Sequence, residues 1–113
     1  MKKYIFFITT LAIVIASCSK EKGKALPAGC PNTIFFATQV KSIFDSKCIT
    51  CHYAGSGNPG DFTLFSDIKG RAALIRKRAC EPGADMPQSG NPQLTQDEID
   101  RLRCWIDQGA MNN

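Results

Sequence analysis

The 113-residue sequence has a single histidine, a single tryptophan and no apolar run of the ~20 residues that a membrane-spanning helix needs. No stretch alternates apolar and polar residues for long enough to indicate a β-strand, and no internal repeat is present. The basic residues form no stripe, which argues against nucleic acid as a partner. No nucleophile is paired with a base, so we expect no enzymatic turnover. The lack of alternating runs, together with the helical spacing described below, favours a small all-α domain.

The first seventeen residues are typical of a secretory signal. Lys2 and Lys3 precede a short apolar run, Tyr4 to Ile15, which ends in small residues. The segment Ile15-Ala16-Ser17-Cys18 resembles the lipobox of bacterial lipoproteins. That resemblance implies cleavage after residue 17, acylation of Cys18 and a stable membrane anchor. An ordinary secretory signal is the alternative.

The chain is thus expected to have three parts. Residues 1–17 are the lipoprotein signal peptide, residues 18–32 are the lipidated cysteine and a flexible tether, and residues 33–113 are the folded domain. Ser19 stands where some lipoproteins carry the aspartate that retains them at the inner membrane. By that family analogy, we expect the outer membrane of the bacterial cell envelope, on its periplasmic side.

Apolar residues at three- and four-residue intervals predict three short helices. Thr38 and Ser66 are expected N-caps of the first two helices, Thr95 and Glu98 form a capping box for the third, and Gly109 is its expected stop. The predicted helices span 38–47, 67–77 and 96–108. Long loops separate these helices, and such loops are uncommon in a compact domain unless they are functional.

The most informative motif is Cys48-Ile49-Thr50-Cys51-His52. The pattern Cys-x-x-Cys-His is a signature of c-type haem attachment. Two thiols at this spacing can reach the two vinyl groups of one porphyrin, and the adjacent histidine is then directed at the iron. Because His52 is the only histidine, we expect it to be the proximal ligand. One covalent haem c would also supply the apolar centre that short helices and long loops lack.

The two motif cysteines allow other interpretations. A dithiol redox pair normally lies in a thioredoxin-like α/β context, and no alternating strands are apparent. A zinc site needs further ligands, which Cys30, Cys80 and Cys104 could supply only from scattered positions. A coincidental pair is the remaining possibility. The secretion signal favours haem, because c-type haem is attached outside the cytoplasm.

Met86 is the expected sixth ligand of the iron. Beyond the signal peptide only Met86 and Met111 are available, and Met111 lies past the last helix. Met86 lies in a loop rich in proline and glycine, and Pro87 favours extended backbone at the methionine. A thioether presented by such a loop completes a six-coordinate haem. The alternative is that Met86 only fills space in the core.

The chain resembles the class I cytochrome c family, and most of all the small cytochrome c domains of Bacteroidota-type lipoproteins. The resemblance covers about residues 33–113 and is carried by the haem motif, by Met86-Pro87 and by the ending Cys104-Trp105-Ile106-Asp107-Gln108-Gly109-Ala110. It implies that Cys48 and Cys51 hold the haem, with His52 proximal and Met86 distal. It also implies that the first and last helices cross, with Phe44, Leu102 and Trp105 as candidates for their contact.

Three cysteines remain after lipid and haem are assigned, and an oxidising compartment favours pairing among them. The predicted disulfide is Cys80–Cys104, which would attach the start of the methionine loop to the last helix. Cys30 would then be free or intermolecular. The pairings Cys30–Cys80 and Cys30–Cys104 remain open.

The expected function is electron transfer by a monomer, since histidine and methionine together leave no open position on the iron. A haem-based sensor or a small peroxidase-like protein is the alternative if Met86 is not a ligand. A structural or binding lipoprotein, in which the two motif cysteines form a plain disulfide, is the third possibility. The expected partners are redox proteins and, through the lipid anchor, the membrane.

Overall fold

The structure, a computed structural model, describes residues 25–113. The predicted signal peptide 1–17, the predicted lipidation site Cys18 and residues 19–24 lie outside the described residues. Residues 25–113 are helical with intervening loops and contain no strand, in agreement with the predicted all-α class. Their helices are α1, Lys41–Lys47; α2, Phe65–Gly70; α3, Ala72–Ile75; and α4, Gln96–Asp107. A π-helical turn over Phe36–Val40 leads into α1, and another over Arg76–Cys80 continues α3.

The first helical segment begins two residues earlier than predicted. Phe35 precedes it, no side chain of its own caps it, and Thr38 lies inside the π-helical turn. Its first backbone N–H groups are instead satisfied from the far end of the chain. Phe36 N–H donates to Asn113 Oδ1 at 2.9 Å and Ala37 N–H donates to the Asn113 carbonyl at 3.0 Å. The prediction of Thr38 as N-cap is therefore wrong, because a distant residue performs the capping.

The second predicted helix is divided into two. Leu64, and not Ser66, precedes α2, and no side chain caps it. The backbone leaves helical geometry at Arg71 (φ −109°, ψ 8°), directly after Gly70. Glycine is disfavoured in a helix by about 1 kcal/mol relative to alanine, which explains the position of the break.

Helix α4 agrees closely with its prediction. Thr95 Oγ1 accepts from the Glu98 N–H at 3.2 Å, and a Glu98 carboxylate oxygen accepts from the Thr95 N–H at 2.8 Å, so both halves of the capping box are present. Gly109 follows the helix with φ +106°, a left-handed conformation that ends helices and favours glycine.

An aromatic cluster forms the core beneath these helices. Trp105 and Phe44 are fully buried, and their ring centroids lie 6.4 Å apart in an edge-on arrangement. Phe36 packs against both rings, and the indole N–H of Trp105 donates to the Met111 carbonyl at 2.9 Å. Leu102 is buried in the same cluster. The expected contact between the first and last helices is thus confirmed.

The disulfide joins Cys30 to Cys104, with Cα atoms 5.6 Å apart, a separation that suits a disulfide. The predicted Cys80–Cys104 pair is wrong, and Cys80 is a free thiol. The reason is the path of the chain before α1, which runs along α4. Gln108 accepts from the Ile34 N–H and donates to the Asn32 carbonyl, both at 2.8 Å.

This path also moves the boundary of the folded domain. Cys30 is buried, and its N–H donates to the Pro27 carbonyl at 3.0 Å. The described end of the predicted tether is therefore attached to α4 and is part of the domain. Among residues 25–113, no helix is long and apolar enough to cross a bilayer.

Candidate haem site

The haem motif forms a tight turn directly after α1. The amides of Cys51 and His52 both donate to the Cys48 carbonyl, at 3.1 and 3.0 Å, and the Cys48 N–H donates to the Phe44 carbonyl at 3.0 Å. These bonds follow from the end of a helix whose last carbonyls need donors. They bring the two thiols and the imidazole together in a single turn, as the motif predicts.

The imidazole of His52 is held on both its edge and its face. Its Nδ1 lies 2.9 Å from the Pro59 carbonyl. Because a carbonyl only accepts, Nδ1 carries the proton, and in the neutral ring Nε2 keeps its lone pair. The ring of Phe62 stacks on the imidazole, with centroids 4.7 Å apart and planes inclined by 22°. Metal-ligating histidines are commonly fixed by such a bond from the other ring nitrogen.

A cavity of about 480 Å³ lies between this turn and the loop that carries Met86. Cys48, Cys51, His52 and Met86 all line it, so the structure brings the four predicted haem-site residues to one cavity. The volume lies within the ~300–1,000 Å³ of pockets that bury most of a drug-sized ligand. Much of the remaining wall is apolar, with Phe44, Phe62, Leu74, Ile75, Leu94 and Leu102.

The loop of Met86 is hydrogen-bonded to Arg78, in the middle of the second π-helical turn. The amides of Asp85 and Met86 both donate to the Arg78 carbonyl, at 3.0 and 2.9 Å. The Arg78 guanidinium donates to both carboxylate oxygens of Asp85, at 2.9 and 2.6 Å, and holds the pKa of that carboxyl below its usual value. These bonds fix the backbone of Met86 beside the cavity.

Lys47, the last residue of α1, connects that helix to the far end of the loop that carries Met86. Its Nζ donates to the Gln93 carbonyl at 2.9 Å and lies 3.8 Å from Glu98 Oε2. Only 18% of each of these charged side chains is exposed. Because Glu98 belongs to the capping box, the lysine joins the end of α1 to the start of α4.

The two motif thiols differ in environment. Cys51 is exposed, whereas burial raises the pKa of the Cys48 thiol to about 12, with smaller contributions from Cys80 and Glu98. Burial also raises the pKa of Cys80 to about 11, although Arg76 opposes this. Both half-buried cysteines are therefore neutral thiols at ordinary pH.

Several residues of the site were not singled out in the sequence. Pro59 contributes through its carbonyl oxygen, which no side-chain pattern reveals. Phe62 reaches the imidazole from beyond the loop, and Arg71 lines the cavity from the break between α2 and α3. The glycines and proline of residues 53–61 did indicate a loop, and this loop is the one that folds back on His52.

No family model, curated protein or solved structure matches this chain. Within residues 25–113, histidine, cysteine, aspartate and glutamate form no group of three or more that could hold a metal ion.

Proposed function

We propose that this protein is a one-haem electron carrier of the c-type cytochrome kind, anchored to the bacterial envelope through lipid on Cys18. The observation that carries the proposal is the lining of one cavity by two thiols, an imidazole and a thioether, from Cys48, Cys51, His52 and Met86. Each of these groups has a distinct use in holding a covalent haem. Their common cavity is largely apolar, as a porphyrin requires.

Cys48 and Cys51 would hold the haem through two thioether bonds. In each, the S–H would add across a vinyl C=C, with sulfur on one carbon and hydrogen on the other. The Pro59 carbonyl holds the Nδ1 proton of His52 and leaves Nε2 available to iron. The amides of Asp85 and Met86, which both donate to the Arg78 carbonyl, would hold Met86 in place as the second protein ligand of the iron. The haem itself supplies the one-electron redox change.

Two protein ligands on the iron would favour electron transfer over catalysis. Binding by both His52 and Met86 would leave the iron no position for substrate, and the methionine sulfur would raise the reduction potential. The alternative function, a haem sensor or a small peroxidase, requires instead that Met86 leave the sixth position of the iron open.

The test is expression of the full chain in a bacterial periplasm with haem-attachment machinery. We expect the mass to report lipid and one haem, and the ferric spectrum to show the sulfur-to-iron band near the red end of the visible range. Absence of covalent haem, by mass and by the pyridine haemochrome assay, would overturn the proposal.

The matched variants are Met86→Leu and Met111→Leu. We expect Met86→Leu to lose the sulfur-to-iron band, to bind CO when reduced and to have a lower midpoint potential, because it removes the thioether. Met111 is 54% exposed and should tolerate the same change without spectral effect. A wild-type protein that holds haem but binds CO readily and lacks the band would instead be a sensor or peroxidase.

A further inference from the structure

Two arginines line the cavity, and they differ in whether they have an anionic partner. Arg78 is paired with Asp85 through two hydrogen bonds. Arg71 is only partly exposed, yet it has no ion-pair partner among residues 25–113. Lys47, the third cation of the lining, is near Glu98. Among the three cations that line this cavity, Arg71 is therefore the one that forms no ion pair with a residue of the described part of the chain.

The position of Arg71 is set by the fold. It lies at the break between α2 and α3, and its side chain packs against the backbone of Gly60. A Cβ on Gly60 would lie 2.8 Å from Arg71 Nε and 2.9 Å from Arg71 Cδ, and Gly60 has φ +88°. The same Cβ would lie 2.8 Å from Phe62 Cε1. Glycine at this point thus allows the arginine to lie against the loop that orients His52.

We infer that Arg71 receives a carboxylate of the molecule that fills the cavity, namely a haem propionate. The inference rests on the proposed function and extends it to a residue outside the haem motif. A guanidinium binds a carboxylate through two parallel N–H···O bonds, and the pair is stronger where water is partly excluded. Of the two arginines in the lining, the unpaired one is free to make these bonds.

The experiment compares the wild-type holoprotein with Arg71→Gln, Arg71→Lys and the control Lys69→Gln. Lys69 is exposed on α2 two residues away, so its variant makes the same change in net charge. The midpoint potential of each isolated holoprotein is measured against pH. Loss of the arginine should raise the proton affinity of the propionate about tenfold, which moves the pH-dependent step of the potential to higher pH. Arg71→Lys should move it less, and Lys69→Gln should leave it in place.

A second measurement needs no variant. Phenylglyoxal modifies exposed guanidinium groups, and mass spectrometry locates the modified residues. We expect Arg71 to be modified in the haem-free chain and protected in the holoprotein, while Arg101, an α4 residue that is not in the cavity lining, reacts equally in both.

The outcomes separate this inference from the function on which it rests. Suppose that wild type carries haem, but that the midpoint potential of Arg71→Gln depends on pH in the same way as that of Lys69→Gln. If phenylglyoxal also modifies Arg71 equally in the haem-free chain and in the holoprotein, Arg71 does not hold a propionate. An effect of Arg71→Gln confined to the salt dependence of reduction by another protein likewise overturns the inference, since the carboxylate then belongs to a partner. Absence of haem from wild type overturns both proposals.

Discussion

The two thiols of the haem motif lie three positions apart but differ in exposure and acidity. Cys51 is exposed, whereas Cys48 ends α1 and packs against the core. Desolvation disfavours a thiolate, which is why burial raises the pKa of Cys48 from 9.0 to about 12. A thiolate, not a thiol, is the nucleophile towards alkylating agents. The two thiols should therefore react with an alkylating agent at different rates.

In the folded, haem-free protein at pH 8, we predict that iodoacetamide modifies Cys51 well before Cys48. The rise in pKa lowers the thiolate fraction of Cys48 by roughly two to three orders of magnitude. Peptide mass spectrometry over time measures both rates. Denaturant is the control, since it should bring the two rates within a few-fold of each other. Equal rates in the folded chain would contradict the burial of Cys48.

The same shift has a consequence for stability. Because the folded pKa of Cys48 lies above the unfolded value of 9.0, the stability contributed by keeping this thiol neutral is fully present only below about pH 9. This contribution is lost as pH rises from there towards about 12. Alkaline unfolding of the haem-free chain should therefore be less steep in Cys48→Ala than in wild type.

Two helical elements of this protein are capped in different ways. Helix α4 carries its own cap, in which Thr95 and Glu98 satisfy each other's backbone N–H groups. The segment that leads into α1 has no local cap and takes its acceptors from Asn113. Local caps are encoded within four residues, whereas the second kind exists only once the chain has folded.

Thr95→Ala should therefore lower the free energy of unfolding by about 1 kcal/mol, through loss of the capping bond to Glu98 N–H. Thr38→Ala is the matched control, since Thr38 is an exposed residue inside a helical turn and caps nothing. It should change stability by less than about 0.5 kcal/mol or increase it slightly, because alanine favours helix. Urea denaturation measures both variants, and equal losses would contradict the assignment of caps.

At the scale of the whole molecule, one covalent bond connects the beginning and end of the domain. Cys30 and Cys104 are 74 residues apart, so their disulfide closes most of the described chain into one loop. The haem motif and the Met86 loop both lie within that loop. Restricting the unfolded chain over this length stabilises the folded state by about 4 kcal/mol in the chain-entropy model.

We predict that replacing Cys30 and Cys104 together with serine lowers the free energy of unfolding by about 2–5 kcal/mol. Cys80→Ser should have a much smaller effect, because Cys80 is a half-buried free thiol. Denaturation of non-reduced protein measures both. Peptide mapping of the wild type without reductant should recover Cys30 linked to Cys104, and recovery of Cys80 linked to Cys104 would refute the connectivity.

Features that depend on neighbouring residues could be predicted from the amino-acid sequence alone. Helix α4 with its capping box needs only residues 95–109, and the turn from Cys48 to His52 needs only its own five residues and the helix before it. The apolar periodicity also placed Trp105 in the core correctly. These predictions succeed because hydrogen bonds and side-chain spacing within about four residues decide them.

Features that depend on contacts between distant segments could not be predicted, because they follow from the folded path of the chain. Three cysteines allowed three pairings, and the path of the chain along α4 selected Cys30 for Cys104. The proton of His52 Nδ1 is assigned by the Pro59 carbonyl, a backbone atom that every residue type shares. Among residues 25–113, Arg71 forms no ion pair, because the fold places no carboxylate of these residues within reach of its guanidinium. Such contacts depend on loop closure and packing across tens of residues, which local spacing does not encode.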